Sequence, residues 1–136
     1  ITIASTGNST DFGDLTVGRR LCGGCDNDTR GCFAGGDSAS NVVSTVVDYI
    51  TIASTGNATD FGDCVAYTSG AAGGADSDHG VSGIDRGVFG GGYVHTGASA
   101  GTKNTIQYIT ITSTGNATDF GDLTRSCFQT SCVAGA

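Results

Sequence analysis

Hydrophobic residues in this chain come in short alternating bursts rather than at helical spacing, and Gly or Asn closes most of them. The longest burst, residues 42–53, sets Val46, Asp48, Ile50 and Ile52 on one face and Val47, Tyr49 and Thr51 on the other. Apolar side chains on both faces predict a strand covered on both sides. Ser54-Thr55-Gly56-Asn57 follows, and its Gly-Asn pair suits a tight turn into a further strand at residues 59–63. Upstream, residues 20–25 and 29–34 read as two more strands, so one unit holds four.

That unit recurs. Ile1-Thr2-Ile3-Ala4-Ser5-Thr6-Gly7-Asn8-Ser9-Thr10-Asp11-Phe12-Gly13-Asp14 returns at residues 50–63 and 109–122, at offsets of 49 and 59 residues. Between the copies, Thr29-Arg30-Gly31-Cys32-Phe33-Ala34-Gly35-Gly36 answers to Asp85-Arg86-Gly87-Val88-Phe89-Gly90-Gly91-Gly92. The surplus residues of the second interval fall in Gly- and Ser-rich stretches, where insertion costs little loop-closure entropy. Self-similarity at this period indicates a repeat architecture. The chain divides into a half-repeat (1–18), a full repeat (19–63), a full repeat with insertions (64–123) and a terminal partial repeat (124–136), all in one domain.

Composition narrows the fold class. Three Leu, one Lys and no Glu in 136 residues leave few strong helix formers, so the chain is expected to be all-β. A net charge of −7 repels nucleic acid and anionic lipid, which excludes both as expected partners. No stretch approaches the roughly 18 apolar residues of a membrane-spanning helix.

The order of features resembles a kelch-type β-propeller blade. Arg19 and Arg20 lead into strand one, Gly35-Gly36 close strand two, Tyr49 marks strand three and an aromatic residue marks strand four, where Phe12, Phe61 and Phe120 stand in place of the usual Trp. The Tyr-Ile-Thr-Ile, Thr-Gly-Asn-Ala-Thr-Asp-Phe-Gly-Asp and Arg-Gly-x-Phe-Gly-Gly-Gly segments are also similar to kelch-like repeats of virion structural proteins in environmental bacteriophages. The resemblance implies blade-like sheets and a structural role.

With about eleven predicted strands, the expectation is about three small antiparallel four-stranded sheets, propeller-blade or β-prism-like. The last would be a composite of the two termini or be completed by a neighbouring chain. From this follows an expected function: a self-assembling subunit of an extracellular filament, or of a virion surface or tail fibre, polymerising by β-strand complementation between copies of itself. The alternative is a glycan-binding adhesin, with Tyr67, Tyr93 and His95 as sugar contacts.

Candidate chemistry is sparse. The repeated pairs Asp11/Asp14, Asp60/Asp63 and Asp119/Asp122 invite a catalytic or metal reading, but a catalytic dyad is a single asymmetric constellation. Structural use is expected instead, as Asx-type turns or ion pairs with Arg19, Arg20, Arg30, Arg86 or Arg125. Asp26-Asn27-Asp28 and Asp76-Ser77-Asp78 offer alternating oxygens to calcium but lack the distal Glu of an EF-hand loop. No cofactor is expected, no residue is assigned as a metal ligand, and His79 and His95 read as loop residues. Without a phosphate-binding loop or a nucleophile paired with a base, the chain is not expected to be an enzyme.

Two modifications are expected. Cys22, Cys25, Cys32, Cys64, Cys127 and Cys132 form an even set in a short chain, consistent with disulfides and an oxidising, extracellular setting. Cys25–Cys32, Cys127–Cys132 and Cys22–Cys64 is one of fifteen connectivities, and Cys22-Gly-Gly-Cys25 also has the form of half a zinc site. Asn8, Asn27, Asn57 and Asn116 each open an Asn-x-Ser/Thr glycosylation pattern.

Overall fold

The computed structural model describes residues 6–38, 40–66, 69, 72–76, 86–95 and 100–128, with residues 72–76 described by their backbone. These residues contain strands, turns and bends but no helix. The first sheet is an antiparallel meander of β1 (Gly23–Asp26), β2 (Arg30–Ala34), β3 (Val46–Thr51) and β4 (Thr59–Asp63), in that spatial order. The second repeats the meander with β5 (Ala72–Asp76), β6 (Arg86–Gly90), β8 (Gly101–Thr110) and β9 (Thr118–Cys127). Its fifth strand, the short β7 (Tyr93–Val94), lies along the start of β8 beyond the end of β6.

Local chemistry accounts for the boundaries. The β1–β2 turn closes around the buried side chain of Asn27, whose Oδ1 accepts the N–H groups of Thr29 and Arg30 and the hydroxyl of Thr29 at 2.8–3.0 Å. β4 and β9 each carry a bulge against the preceding long strand, at Val47/Asp48 and at Ile106/Gln107. Gly62 and Gly121, beside those bulges, take φ of 143° and 137°, which a side chain would strain.

The core lies between the two sheets. Cys25, Cys32, Ala34, Val47, Phe61 and Cys64 come from the first sheet and its exit, and Phe89, Ile109 and Ile111 from the second. β1 runs so close to β6 that Cys25 Sγ occupies the place where a Cβ on Gly87 would stand. Val47 and Asp48 are both fully buried, so β3 is covered on both faces as its pattern predicts.

Two finer expectations are not met among the described residues. The described residues form two sheets rather than three, and the sheets do not close into a ring. Thr124 to Cys127 extend β9 along the second sheet, with Cys127 opposite Lys103, instead of opening a third. Residues 6–14 join no strand of a composite sheet; their Asp11-Phe12-Gly13-Asp14 segment instead lies against the first sheet's β3–β4 turn. The long β8 is the physical reason for the first difference, since it pairs with β9 from Tyr108 to Thr105 and, across a shift of register, again at Lys103 opposite Cys127.

Candidate assembly interface

The first two copies of the Asp-Phe-Gly-Asp segment each grip the Gly-Asn turn of the repeat after it. Gly56 N–H donates to Phe12 O and Ala58 N–H to Asp14 O, both at 2.8 Å, while Asp14 N–H donates to Asn57 Oδ1 at 3.0 Å. One repeat on, Gly115 N–H donates to Phe61 O at 2.8 Å, Ala117 N–H to Asp63 O at 2.7 Å, and Asp63 N–H to Asn116 Oδ1 at 3.1 Å. The same three bonds are made twice. They use the outer edge of the segment, the edge that in β4 points away from β3, and so turn an open sheet edge into a junction.

Glycine is required there. Gly13 and Gly62 adopt φ of 144° and 143°, and a Cβ on either would run into the carbonyl of Gly56 or Gly115 on the docked turn. The first Asp of each segment fixes this shape: Oδ1 of Asp11, Asp60 and Asp119 accepts the N–H of Gly13, Gly62 and Gly121 at 3.0–3.2 Å. The Asx-type turn expected of these acids is present in all three copies. The expected pairing with arginine is not: among the described residues the six repeated aspartates form no ion pair, and Asp63 instead accepts from Thr45 Oγ1 at 2.8 Å.

Below each junction a buried polar side chain on the third strand holds the chain as it leaves. Asp48, fully buried on β3, accepts the hydroxyl of Thr16 at 2.6 Å, its N–H at 3.2 Å, and Arg19 Nη2 at 2.8 Å. At the matching place on β8, Gln107 accepts Val65 N–H at 2.6 Å. Sequence reasoning missed both. A lone charge amid the Val-Val-Asp-Tyr-Ile run of a doubly covered strand was the available signal.

The third segment is empty. No turn or loop docks on Phe120 O, Asp122 N–H or Asp122 O among the described residues, and β9 pairs with β8 alone. A Cβ on Gly121 would meet nothing within 4 Å. Phe61, covered by the following repeat, is 3% exposed, whereas Phe120 at the same position is 58% exposed, although each ring meets its tyrosine edge-on, Tyr49 and Tyr108 respectively. Arg30 stacks over Tyr49 and reaches the next repeat at Ile111 O, 2.9 Å away. Arg86 stacks over Tyr108 but has no such carbonyl to reach among the described residues. At the other end, Gly7, Asn8 and Ser9, which match the docking turn in sequence, are exposed and without partners among the described residues.

The remaining candidates are placed as follows. Asn27 is buried and committed to its turn, which withholds it from glycosylation and turns its oxygen away from any cation held by Asp26 and Asp28. Asn57 and Asn116 are exposed but spend Oδ1 in the junctions; Asn8 is exposed. Tyr93 meets His95 edge-on at 5.0 Å and Phe128 at 5.5 Å. His95 Nε2 sits 3.0 Å from Oδ2 of the fully buried Asp37, whose Oδ1 accepts Arg20 Nε at 3.1 Å. Ser69 Oγ is 3.5 Å from the same Nε2, so one ring nitrogen faces both groups and no relay through the ring is formed. Tyr67, His79, Ser77, Asp78, Cys132 and the Asp76 side chain lie outside the described residues. Among the described residues no three His, Cys, Asp or Glu side chains gather to hold a metal ion.

Among the described residues none of the expected disulfides is formed: Cys22, Cys25, Cys32, Cys64 and Cys127 are unpaired, and Cys132 lies outside those residues. Cys25 and Cys32 face each other across β1 and β2, and their sulfur hydrogen bond holds the proton on Cys25, raising its pKa and lowering that of Cys32. Cys64 is buried apart from both, and burial pushes its pKa up to about 12. An even number of cysteines in a short chain does not force pairing, and Cys25, Cys32 and Cys64 serve as small core residues.

No known protein family and no curated protein matches this chain.

Proposed function

We propose that this chain is a structural, self-assembling subunit whose copies join by completing one another's sheet edges, as in an extracellular filament or a virion surface or tail fibre. The observation that carries the reading is the empty third segment. Phe120 and Asp122 present the groups that Phe12 with Asp14 and Phe61 with Asp63 already use to bind the following repeat. A repeat unit of this kind stacks on neighbours, and stability accrues from the interfaces. The kelch-like order of features fits a blade that is added to, rather than a closed ring.

Electron microscopy and sedimentation of the full chain at physiological salt test this. Regular polymers that lengthen with protein concentration are expected. Because each copy carries a net charge of −7, assembly should strengthen as salt is raised. A single monomeric species at every concentration and salt level would refute the proposal.

A further inference from the structure

The internal junctions specify how two copies meet, and this inference rests on the assembly reading above. We infer that the Gly7-Asn8-Ser9 turn of a second copy docks on the outer edge of β9 as a clasp of turn on edge rather than by donation of a strand. The register follows from the two junctions within the chain. Gly56 and Gly115 correspond to Gly7, Asn57 and Asn116 to Asn8, and Ala58 and Ala117 to Ser9. The incoming Gly7 N–H donates to Phe120 O and the Ser9 N–H to Asp122 O, while Asp122 N–H donates to Asn8 Oδ1.

Three features prepare the edge for that turn. Gly121 already holds a φ of 137°, within a few degrees of the 144° and 143° of Gly13 and Gly62 in their occupied junctions, so no rearrangement precedes docking. The space above it, filled by a glycine carbonyl in both occupied junctions, is open. Phe120 awaits the cover that the following repeat gives to Phe61. All of these groups are main chain, glycine or an apolar ring, so the clasp needs no cation or cofactor.

The contact is heterologous. One copy offers the turn, the next the edge, and the joined pair keeps one unused face of each kind. Repeating the operation extends the stack in one direction, giving an open polymer with polar ends.

Two variants of the full chain test the clasp. Gly7→Pro with Asn8→Ala removes one donor and one acceptor from the turn, which is exposed and unpartnered among the described residues. Phe120→Asp places a charge on the edge at a position that is largely exposed already. Thermal melting should leave both within a few degrees of the parent chain. Each variant alone is expected to stay monomeric at concentrations at least tenfold above those at which the parent polymerises.

Mixed in equal amounts, they should form one-to-one heterodimers and nothing longer, because each retains the face the other lacks. Native mass spectrometry reads this directly. Variants that polymerise like the parent would overturn the clasp while leaving self-assembly intact. A parent chain that never assembles would remove both.

Discussion

Arg19 Nη2 lies 2.8 Å from Asp48 Oδ2 with both side chains out of reach of solvent, while the residue matching Asp48 in the second sheet is the neutral Gln107. The two do the same work on the departing chain, accepting the N–H of Thr16 or of Val65. Only the carboxylate needs a cation. Arg19→Met should therefore leave a buried charge unbalanced and cost about 3–5 kcal/mol in urea unfolding. Adding Asp48→Gln to that variant should recover much of the loss, since the second sheet already manages with an amide. The Nε and Nη1 of Arg19 have no hydrogen-bond partner, which favours the double replacement further.

Much of this architecture was legible in the sequence because it is written more than once. The three strands at 29–34, 42–53 and 59–63 contain the observed β2, β3 and β4, since alternation, the Gly-Asn turn and the repeat all pointed the same way. The junction was not legible, although each of its residues had been noticed. Asn57 and Asn116 read as turn or glycosylation residues, and Gly62 as one glycine among 24. Their shared purpose is a largely main-chain contact between repeats, and main-chain partners leave little side-chain pattern beyond one asparagine oxygen and a glycine that must stay small. The signal was the joint recurrence of Phe-Gly-Asp and Gly-Asn in every copy. Asp37 belongs to no repeated motif, and its link to His95 spans the two sheets, so nothing local announced it.

Cys64 should react far more slowly than the half-buried thiols. Burial raises its pKa from 9.0 to about 12, against the opposing pull of Arg19, so the native protein presents almost no thiolate there at neutral pH. Iodoacetamide labelling followed by peptide mass spectrometry should show Cys22 and Cys127, both half-buried, modified well before Cys64. The same shift makes stability depend on pH. Below 9.0 both folded and unfolded thiols are protonated; above it the unfolded thiol ionises while the folded one does not. Stability is therefore fully present below 9.0 and is lost as pH rises towards 12. The part of that loss due to Cys64 should vanish in Cys64→Ala.

Asp37 ties the first sheet's edge to the second through His95. Its side chain is fully buried, and the group that faces its Oδ2 is the His95 imidazole, with Nε2 at 3.0 Å. His95→Ala should cost about 1–3 kcal/mol by leaving that oxygen uncompensated. Arg20→Ala should cost less, because the Arg20 side chain is 57% exposed and water can replace it. Equal losses in urea unfolding would mean that the buried oxygen is solvated in some other way.

Gly62 and Gly121 offer the most direct comparison of an occupied junction with an empty one. Their φ values differ by only a few degrees, at 143° and 137°, so an alanine at either suffers similar backbone strain, about 1–3 kcal/mol. At Gly62 the new Cβ also strikes the Gly115 carbonyl, and relieving that overlap should cost a further 1–3 kcal/mol or so. Gly121→Ala meets nothing within the chain and should lose only the strain. Its second effect should appear between chains: the methyl group fills the space that the incoming Gly7 carbonyl requires, so polymer formation should fail while the monomer still melts cooperatively. Gly62→Ala leaves that outer edge untouched and should still polymerise to the extent that it folds. If the two variants lose equal stability, the contact with the docked turn carries no energetic weight, and the logic that extends it to a second copy fails with it.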